Sequence, residues 1–247
     1  ISMFVLLSPA KKLQEAPTGT NVPHFIKEAE QIANEIRPLS KQKLQVLLGT
    51  SQAITSLNQE RFENYSSKNL IEYGTMALHT YAGDVYKLFN PSQFDQSHIN
   101  YINTHFGIIS GLYGILKPHD KMLPYRLEMK NKLYVNNLIL TQFWRKRLTK
   151  YLQDILAPNT PIIMLCSNEY ANAISNEGLN LIQVSFKELR DGTLKTIALN
   201  AKRARGMMAA YITQRKIQDH LKLKNFNEAN YQFSRKLSSD NHFVFIK

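Results

Sequence analysis

Residues 3–12 read MFVLLSPAKK, a short apolar run followed directly by a serine, a proline and two lysines. The run from Met3 to Leu7 has the length and composition of a fully buried strand. Ser8-Pro9 is typical of the first residues of a helix. This stretch therefore predicts a buried strand that ends at a helix start, with Lys11 and Lys12 just beyond it.

Two later apolar runs end in the same way. Phe106 to Ile109 is followed by Ser110-Gly111, and Ile162 to Leu165 is followed, after one residue, by Ser167-Asn168. In open α/β sheets, ligands bind beyond the carboxyl ends of the strands, so we expect these three turns to converge on one cleft. Taken singly, each serine is better explained as an ordinary helix cap.

The remaining pattern predicts a mixed α/β (α+β) fold. Helical spacing runs from Val22 to Ile36, with Pro23 in the first turn and Pro38 at the end, and a long amphipathic helix covers Phe143 to Ile155. Further strands are expected at residues 179–186, 194–197, 231–233 and 243–246, with a helix from about Asn200. Neither an internal repeat nor a linker marks a boundary, so we expect one domain over residues 3–247 and regard Ile1 and Ser2 as a remnant of cloning.

Charge is the most informative bulk property. The 247 residues include 31 Lys and Arg against 19 Asp and Glu, a net charge of +12 with a pI near 9.6. This indicates an anionic partner, most simply nucleic acid, although a generically basic surface gives the same number. The single cysteine, Cys166, excludes an internal disulfide and favours a reducing compartment, so we expect a cytoplasmic protein. Without a long apolar run, no membrane association is expected.

Basic residues recur at two predicted helix starts. In LNAKRARGMMAAYI, residues 199–212, Asn200 is expected to cap the helix, with Lys202, Arg205 and the later Lys216 on one side. Cations in a first turn oppose the helix dipole, and a bound anion reverses that penalty. Free backbone N–H groups and these cations together predict a phosphate site, and Pro9-Ala10-Lys11-Lys12 repeats the arrangement. The alternative is a pair of solvated basic faces.

A helical hairpin is predicted at about residues 39–65. The sequence PLSKQKLQVLLGTSQAITSLNQERFENY, residues 38–65, places two helical patterns around Gly49, Thr50 and Ser51. Helix–hairpin–helix modules hold a DNA phosphate with the backbone amides of such a turn. The second glycine expected of that motif is absent, so a plain helical hairpin stays the alternative.

The stretch GLYGILKPHDKMLPYRLEM, residues 111–129, is expected to form a rigid irregular loop. Gly111 and Gly114 allow unusual backbone angles, while prolines fix φ elsewhere. Arg126 suits either a phosphate or a pairing with Glu128, which would orient its guanidinium. Tyr125 either stacks on a base or packs as a buried tyrosine.

Five motifs together resemble the YaaA family of peroxide stress proteins. They are Ser8-Pro9-Ala10-Lys11, SGLYGILKPHD from Ser110, PYRLEM from Pro124, SNEY from Ser167 and KRARG from Lys202, and the resemblance runs from Met3 to Lys247. It implies a single α/β domain peculiar to the family, with a positively charged cleft and a helix–hairpin–helix element. It also implies DNA binding and a role in limiting oxidative damage and free intracellular iron. The residues that match the family's motif positions are Lys11, Arg126, Glu128, Asn168, Glu169, Lys202, Arg203 and Arg205.

The chain departs from the expected family pattern at two positions. Cys166 stands where the family is expected to have alanine, which gives no reason to treat this cysteine as a general peroxide sensor. Asn230 stands where glycine is expected, which puts a turn geometry in question, although asparagine tolerates positive φ better than most residues.

The partner we expect is double-stranded DNA, contacted through phosphate with little sequence preference. An enzyme acting on nucleic acid or nucleotides is the alternative, because Glu128, Glu169, Asp120 and His119 supply acid and base groups. None of the phosphate-loop, dinucleotide-binding, zinc-protease or nucleophile-elbow motifs is present. An iron-sequestering protein is the third hypothesis, but the histidines lack ligand spacing, so we expect no metal and no cofactor. No obligate protein partner is evident.

Overall fold

The apolar run that opens the chain forms the strand β1 (Phe4–Leu7), and all four of its residues are buried. The computed structural model describes residues 2–247, so Ile1 of the expected cloning remnant lies outside the described chain. A parallel strand pairs with β1 on each side, so the backbone N–H and C=O groups along both of its edges have hydrogen-bond partners. This burial from both faces explains why the strand is a continuous apolar run without alternation.

Residues 2–247 form ten α-helices and three short 3₁₀ helices. The helices are α1 (Ile26–Ile36), α2 (Lys41–Leu48), α3 (Gln52–Glu63), α4 (Ser67–Tyr73), α5 (Ala77–Thr80), α6 (Asp84–Phe89), α7 (Gln96–His105), α8 (Leu140–Ile155), α9 (Asn168–Ala171) and α10 (Ala198–Gln214).

The same residues form eleven further strands. They are β2 (Thr75–Met76), β3 (Phe106–Ser110), β4 (Gly114–Leu116), β5 (Lys121–Met122), β6 (Tyr134–Val135), β7 (Leu138–Ile139), β8 (Pro161–Leu165), β9 (Asn180–Arg190), β10 (Thr193–Lys195), β11 (Gln232–Phe233) and β12 (His242–Ile246). The main sheet has the order β11-β12-β9-β8-β1-β3-β4, and β10 pairs with β9. Its five central strands run parallel, while β4, β10 and β11 are antiparallel. The predicted mixed α/β fold is confirmed.

Helix α10 packs closely against α6 on one side of the sheet. Gly206 makes the approach possible, because a Cβ at this position would overlap the carbonyl oxygen of Val85 and lie 2.9 Å from Cβ of Leu88. The buried face of α10 includes Ala204, Met208 and Ile212. This contact holds α10 beside the loop that precedes α6, and both helices contribute to the site described below.

The stretch 111–129 is more regular than predicted, since it contains β4 and β5. Gly114 has φ +72° and packs against the ring of Trp144. Gly111 does not have positive φ; a Cβ there would lie 2.6 Å from the carbonyl oxygen of Leu127. The Nε1–H of Trp144 donates a hydrogen bond to the Gly111 carbonyl oxygen (2.8 Å). Close packing therefore requires Gly111, and only Gly114 uses the conformational freedom of glycine.

Several predicted helix boundaries are wrong. α1 begins at Ile26 and not near Val22, because the preceding chain is extended against Asp120, with the Asn21 N–H bonded to the His119 carbonyl oxygen. No helix follows β1: residues 9–12 are irregular with a bend at Lys11, and the carbonyl oxygen of Lys12 accepts from the Ala82 N–H (3.0 Å).

The start of α10 also differs from the prediction. The helix begins at Ala198, so Asn200 lies in its first turn and does not cap it. The Asn200 amide instead donates to Glu188 Oε2 (2.8 Å). Lys216 lies beyond the helix end with φ +44°, and its Nζ contacts Ser97. The predicted strand 194–197 is shorter, β10, and pairs with β9 in an exposed hairpin.

The turn that contains Asn230 adopts the geometry that glycine would favour. Asn230 has φ +65° and the preceding Ala229 has φ +52°. The expected tolerance of asparagine for positive φ is confirmed at this position.

Within residues 2–247, no helix is both long enough and apolar enough to cross a membrane.

We predict that Gly114→Ala destabilises the fold more than Gly192→Ala. Both glycines have positive φ, which costs an L-residue roughly 1–2 kcal/mol. At Gly114 the new Cβ would also lie 2.5 Å from the Trp144 ring, whereas nothing lies within 4 Å at Gly192. Urea denaturation should show an unfolding free energy lower by roughly 3 kcal/mol or more for the first variant and by about 1 kcal/mol for the second. Equal losses would contradict this packing role of Trp144.

Candidate functional site

The three strand ends singled out in the sequence meet at one edge of the sheet. A cavity of about 540 Å³ opens there, lined by Ser8 after β1 and by Ser167 after β8. The backbone N–H of Ser167 donates to the Ser8 hydroxyl (2.9 Å), although 159 positions separate them in the chain. Ser110, the last residue of β3, is buried and does not line the cavity, but its hydroxyl lies 2.6 Å from that of Tyr125, which does. The expected convergence is therefore observed for the turns after β1 and β8, and β3 contributes through Tyr125.

The cavity lies where the direction of strand connection reverses. β1 pairs with β3 on one side and with β8 on the other, and β8 continues to β9 away from β1. The loops after β1 and β8 therefore leave the sheet in opposite directions and open a crevice between them. Such switch points at the carboxyl ends of parallel strands are the usual ligand sites of open α/β sheets.

Charged side chains dominate the cavity wall. Seven of the lining residues are basic: Lys11, Lys12, Lys87, Arg126, Lys130, Lys202 and Arg205. Three are acidic: Asp84, Glu128 and Glu169. Five of the predicted phosphate-binding residues and both predicted carboxylates thus line one cavity.

Glu128 is the most highly constrained of the three carboxylates. Its side chain is 9% exposed and contacts three cations: Lys11 Nζ (3.3 Å) and Lys130 Nζ (3.7 Å) lie at Oε1, and Arg126 Nη2 (3.3 Å) lies at Oε2. The Glu128 N–H donates to Asn131 Oδ1 (2.6 Å), which fixes the backbone. Of the two roles considered for Arg126, the pairing with Glu128 is the one observed. Burial of an unpaired carboxylate is costly, and these cations offset that cost.

Glu169 lies at the start of the short helix α9 and lines the same cavity as Glu128. Its Oε1 accepts from the backbone N–H of Lys130 (3.1 Å), and the side chain is half-buried. Among the described residues it forms no ion pair. Both glutamates are therefore held in place, one by cations and the other by the backbone.

Two cations on α10 contrast with those around Glu128. Lys202 and Arg205 line the cavity, and none of the ion pairs within residues 2–247 includes either of them. Arg205 Nε, like Arg126 Nε, is buried without a hydrogen-bond partner in the described chain. Burial lowers the pKa of Arg205 from its ordinary value, the direction expected of a cation that is removed from water.

Tyr125, which lines the cavity, belongs to a network of buried hydroxyl groups. The Tyr125 hydroxyl lies 2.6 Å from the Ser110 hydroxyl and 2.8 Å from that of Tyr81, and the Tyr86 hydroxyl donates to the Ser8 carbonyl oxygen (2.7 Å). Burial raises the pKa of Tyr125 to about 12. Of the two roles considered for Tyr125, the buried tyrosine with a satisfied hydroxyl is the one observed.

Other predicted site residues lie elsewhere. Asn168 lines a neighbouring surface depression with Met164 and Gln183, and Arg203 is exposed and does not line the cavity. Both follow cavity residues directly in sequence, but their side chains lie outside it.

The turn between α2 and α3 is well formed. Gly49 ends α2 with φ +61°, and the Ser51 hydroxyl caps α3 by accepting from the Ile54 N–H (3.3 Å). The helical hairpin predicted for residues 39–65 is therefore present. The phosphate-binding role of Gly49, Thr50 and Ser51 stays a prediction.

The two remaining acid and base candidates do not reach the cavity. Asp120 and His119 lie on the segment that pairs with Asn21, and neither lines the cavity. Cys166 is buried, and burial raises the pKa of its thiol to about 12, which disfavours the reactive thiolate. Among residues 2–247, no three His, Cys, Asp or Glu side chains are grouped to hold a metal ion.

The sequence analysis missed three charged residues of the wall. Lys130 comes directly after the PYRLEM motif. Its position close to Arg126 and Glu128 is the signal that could have identified it. Asp84 and Lys87 belong to α6, in the segment between Tyr65 and Phe106 for which the sequence predicted no element. No local pattern indicated that α6 packs on α10.

Comparison with known proteins gives consistent matches over the whole chain. Residues 3–237 match the family described as "Peroxide stress protein YaaA". The UPF0246 proteins of Rickettsia peacockii (strain Rustic) and Crocosphaera subtropica (strain ATCC 51142 / BH68) are each 38% identical, and each match covers 99% of this chain and 100% of the relative. The UPF0246 protein lpl1317 of Legionella pneumophila (strain Lens) is 37% identical, with 99% of each chain covered.

Asp120 generates a prediction about pH. It is buried, accepts from the Lys117 N–H (2.7 Å), and burial raises its pKa from 3.8 to about 7. Between these two pKa values the folded state keeps a proton that the unfolded chain has released. The free energy of unfolding therefore falls as the pH rises from about 4 to 7 and stays constant at higher pH. In urea denaturation, we expect the free energy of unfolding of Asp120→Asn to fall by roughly 3 kcal/mol less than that of the wild type over this range.

The matched control for this measurement is Asp240→Asn, at an exposed position. It should keep the wild-type dependence of stability on pH. An unchanged slope in Asp120→Asn would show that Asp120 is ionised in the folded protein throughout this range.

Proposed function

This chain belongs to the YaaA family of peroxide stress proteins, and we propose that it binds double-stranded DNA through phosphate contacts in the cleft, without strong sequence preference. In this proposal the protein acts in the peroxide stress response and limits oxidative damage and free intracellular iron. The cleft is the cavity at the carboxyl ends of β1 and β8 together with its basic rim.

The observation that carries the proposal is the pair of uncompensated cations on α10. Lys202 and Arg205 face the cavity without a carboxylate partner in residues 2–247, whereas Lys11, Arg126 and Lys130 share Glu128. Lys202 is exposed, but Arg205 is half-buried, and a half-buried cation without a partner loses hydration that no group in the described chain replaces. A phosphate group placed against α10 would offset that cost through charge-assisted hydrogen bonds.

Two further features support a polyanionic partner. Lys12 and Lys87 are exposed at the rim and extend the basic surface beyond the cavity, and the whole chain carries a net charge of +12. Such a field attracts a polyanion and steers its approach. No recognition-helix motif for reading bases was found in the sequence, so backbone contacts with little sequence preference are the expected mode.

The helical hairpin supplies a second point of contact in this proposal. At the start of α3 the Ser51 hydroxyl accepts from the Ile54 N–H, which leaves the N–H groups of Gln52 and Ala53 for a ligand, the arrangement that binds phosphate at helix N-termini. The first turn of α3 contains no acidic side chain that would compete with a phosphate. The family resemblance supports this role.

We predict that Lys202→Ala and Arg205→Ala each weaken binding to duplex DNA. The affinity should fall roughly 3- to 10-fold near 0.1 M salt and equally for two unrelated sequences, because each change removes a phosphate contact and no base contact. The slope of log K against log salt concentration is negative, and it should become less steep by about 0.9 for each phosphate that the variant no longer neutralises. Fluorescence anisotropy titrations with two labelled duplexes across a salt series provide the measurement.

Lys236→Ala is the control, since Lys236 is exposed and does not line the cavity. It lowers the net charge by the same amount, so a decrease in affinity equal to that of the α10 variants would assign binding to overall charge and not to the cleft. Undetectable duplex binding by the wild type at low salt would refute the proposal and favour the enzyme alternative.

A second prediction addresses the helical hairpin. Gln52 is exposed at the first position of α3, and Gln52→Glu adds a negative charge there with almost no change in shape. The helix dipole favours that charge by up to about 1 kcal/mol, so thermal stability should rise slightly. Duplex affinity should nevertheless fall about 3-fold or more, because the carboxylate repels phosphate at the turn.

The control for this charge is Gln96→Glu, at the first position of α7. It makes the same change at another helix start and should leave duplex affinity within about twofold. If Gln52→Glu and Gln96→Glu bind DNA equally well, the α2–α3 turn does not contact the duplex.

A further inference from the structure

We propose that the inner cavity of the cleft holds a single phosphorylated nucleotide, with its phosphate against Lys202 and Arg205 and its hydrogen-bond donors directed to Glu128 and Glu169. This inference goes beyond duplex binding and shares with the proposed function the two cations of α10. The ligand class is a nucleoside 5′-monophosphate, either free or at the end of a strand.

The volume of the cavity favours a ligand of that size. About 540 Å³ falls within the range of roughly 300–1,000 Å³ that is typical of small-molecule sites. A double helix, whose major groove alone is about 12 Å wide, is too large to enter such a space and can only lie across its mouth. One nucleotide unit fits inside, and the position at a strand switch point is a usual one for such ligands.

The distribution of charge within the cavity argues against a ligand that offers phosphate alone. Its wall includes the carboxylates of Asp84, Glu128 and Glu169 beside the cations. An ionised carboxylate accepts hydrogen bonds and donates none, and the sugar–phosphate backbone of DNA also has only acceptors. A site that bound only backbone phosphate would have a higher affinity for it without these carboxylates. A nucleotide brings an anion for the cations and base or sugar donors for the carboxylates.

Glu128 keeps capacity for such a donor. Its two oxygens provide about four acceptor positions, and three are directed to Lys11, Lys130 and Arg126. Because those cations hold the carboxylate in one orientation, it does not have to reorganise when a ligand arrives. Glu169, fixed by the Lys130 backbone N–H, offers a second acceptor on the same wall.

The cavity lining also includes apolar and aromatic residues. Among them are Pro9, Ala10, Leu127 and Tyr170. An apolar surface flanked by a few fixed polar groups is the usual composition of a site for a flat heterocycle. The arrangement places a base or sugar between the cation wall on α10 and the carboxylate wall at residues 128–130.

Isothermal titration calorimetry with deoxynucleoside 5′-monophosphates, inorganic phosphate and unphosphorylated deoxynucleosides tests the inference. We expect at least one monophosphate to bind tenfold or more tightly than inorganic phosphate and than its own nucleoside. Glu128→Gln, which keeps the shape and removes the charge, should reduce the preference for the nucleotide over phosphate at least fivefold. Inorganic phosphate alone should bind Glu128→Gln as well as or better than the wild type.

Glu169→Gln is a second variant, used if Glu128→Gln lowers the melting temperature enough to perturb the fold, and it should reduce the same preference. Glu15→Gln, at an exposed position outside the cavity, is the control and should leave it unchanged. Equal affinity for phosphate and nucleotide, or a Glu128→Gln variant that binds both more tightly by the same factor, would overturn the inference.

Titration of the same preparations with duplex DNA separates this inference from the proposed function. Duplex binding without nucleotide binding overturns the nucleotide pocket and leaves the proposed function intact, and the reverse result refutes duplex binding alone. A duplex that ends in one unpaired 5′-phosphorylated nucleotide, compared with its blunt form, distinguishes the two sources. Tighter binding of the overhang supports a strand end, and equal binding with nucleotide affinity retained supports the free nucleotide.

Discussion

Parallel pairing of β1 with β3 on one side and with β8 on the other is the constraint on which the cleft depends. It brings the ends of these strands to one edge of the sheet, so that Ser8 and Ser167 form a hydrogen bond across 159 positions of sequence. Because β1 is buried on both faces, its register is fixed by neighbours on both sides, and the loops that leave its carboxyl end have defined positions. The cleft is thus a consequence of strand order, and its chemistry comes from the loops.

The electrostatics of the cleft follow from placing seven cations around one small cavity. Like charges at this spacing repel, and the chain compensates for the repulsion unevenly. Glu128 offsets one of the three positive charges of Lys11, Arg126 and Lys130, while Lys202 and Arg205 form no ion pair among the described residues. The two walls therefore differ: one combines its cations with a buried carboxylate, and the cations of the other are unpaired. This asymmetry, more than the net charge of the protein, defines what the cleft can bind.

The parts of the fold that local patterns determine were predictable. β1, β3, β8 and α8 follow from apolar runs and helical spacing, and the meeting of the strand ends follows from the rule for parallel sheets. The wrong boundaries have tertiary causes: the Lys12 carbonyl oxygen is engaged by Ala82, and the Asn200 amide by Glu188, so neither residue starts a helix. Lys87 and Asp84 were missed because the packing of α6 on α10 depends on Gly206. A single glycine in a sequence does not indicate which helix packs against it.

Packing, and not ion pairing, holds the two walls of the cleft apart. The α10 wall is fixed by the contact of Gly206 with α6, and the opposite wall is fixed by the contact of Gly111 with the Leu127 backbone. The carbonyl oxygen of Gly111 is in turn held by Trp144. Since these contacts are independent of charge, they hold the backbone of both walls in place against the repulsion between the cations. A backbone held in this way is preorganised, which lowers the cost of arranging the two walls around any ligand.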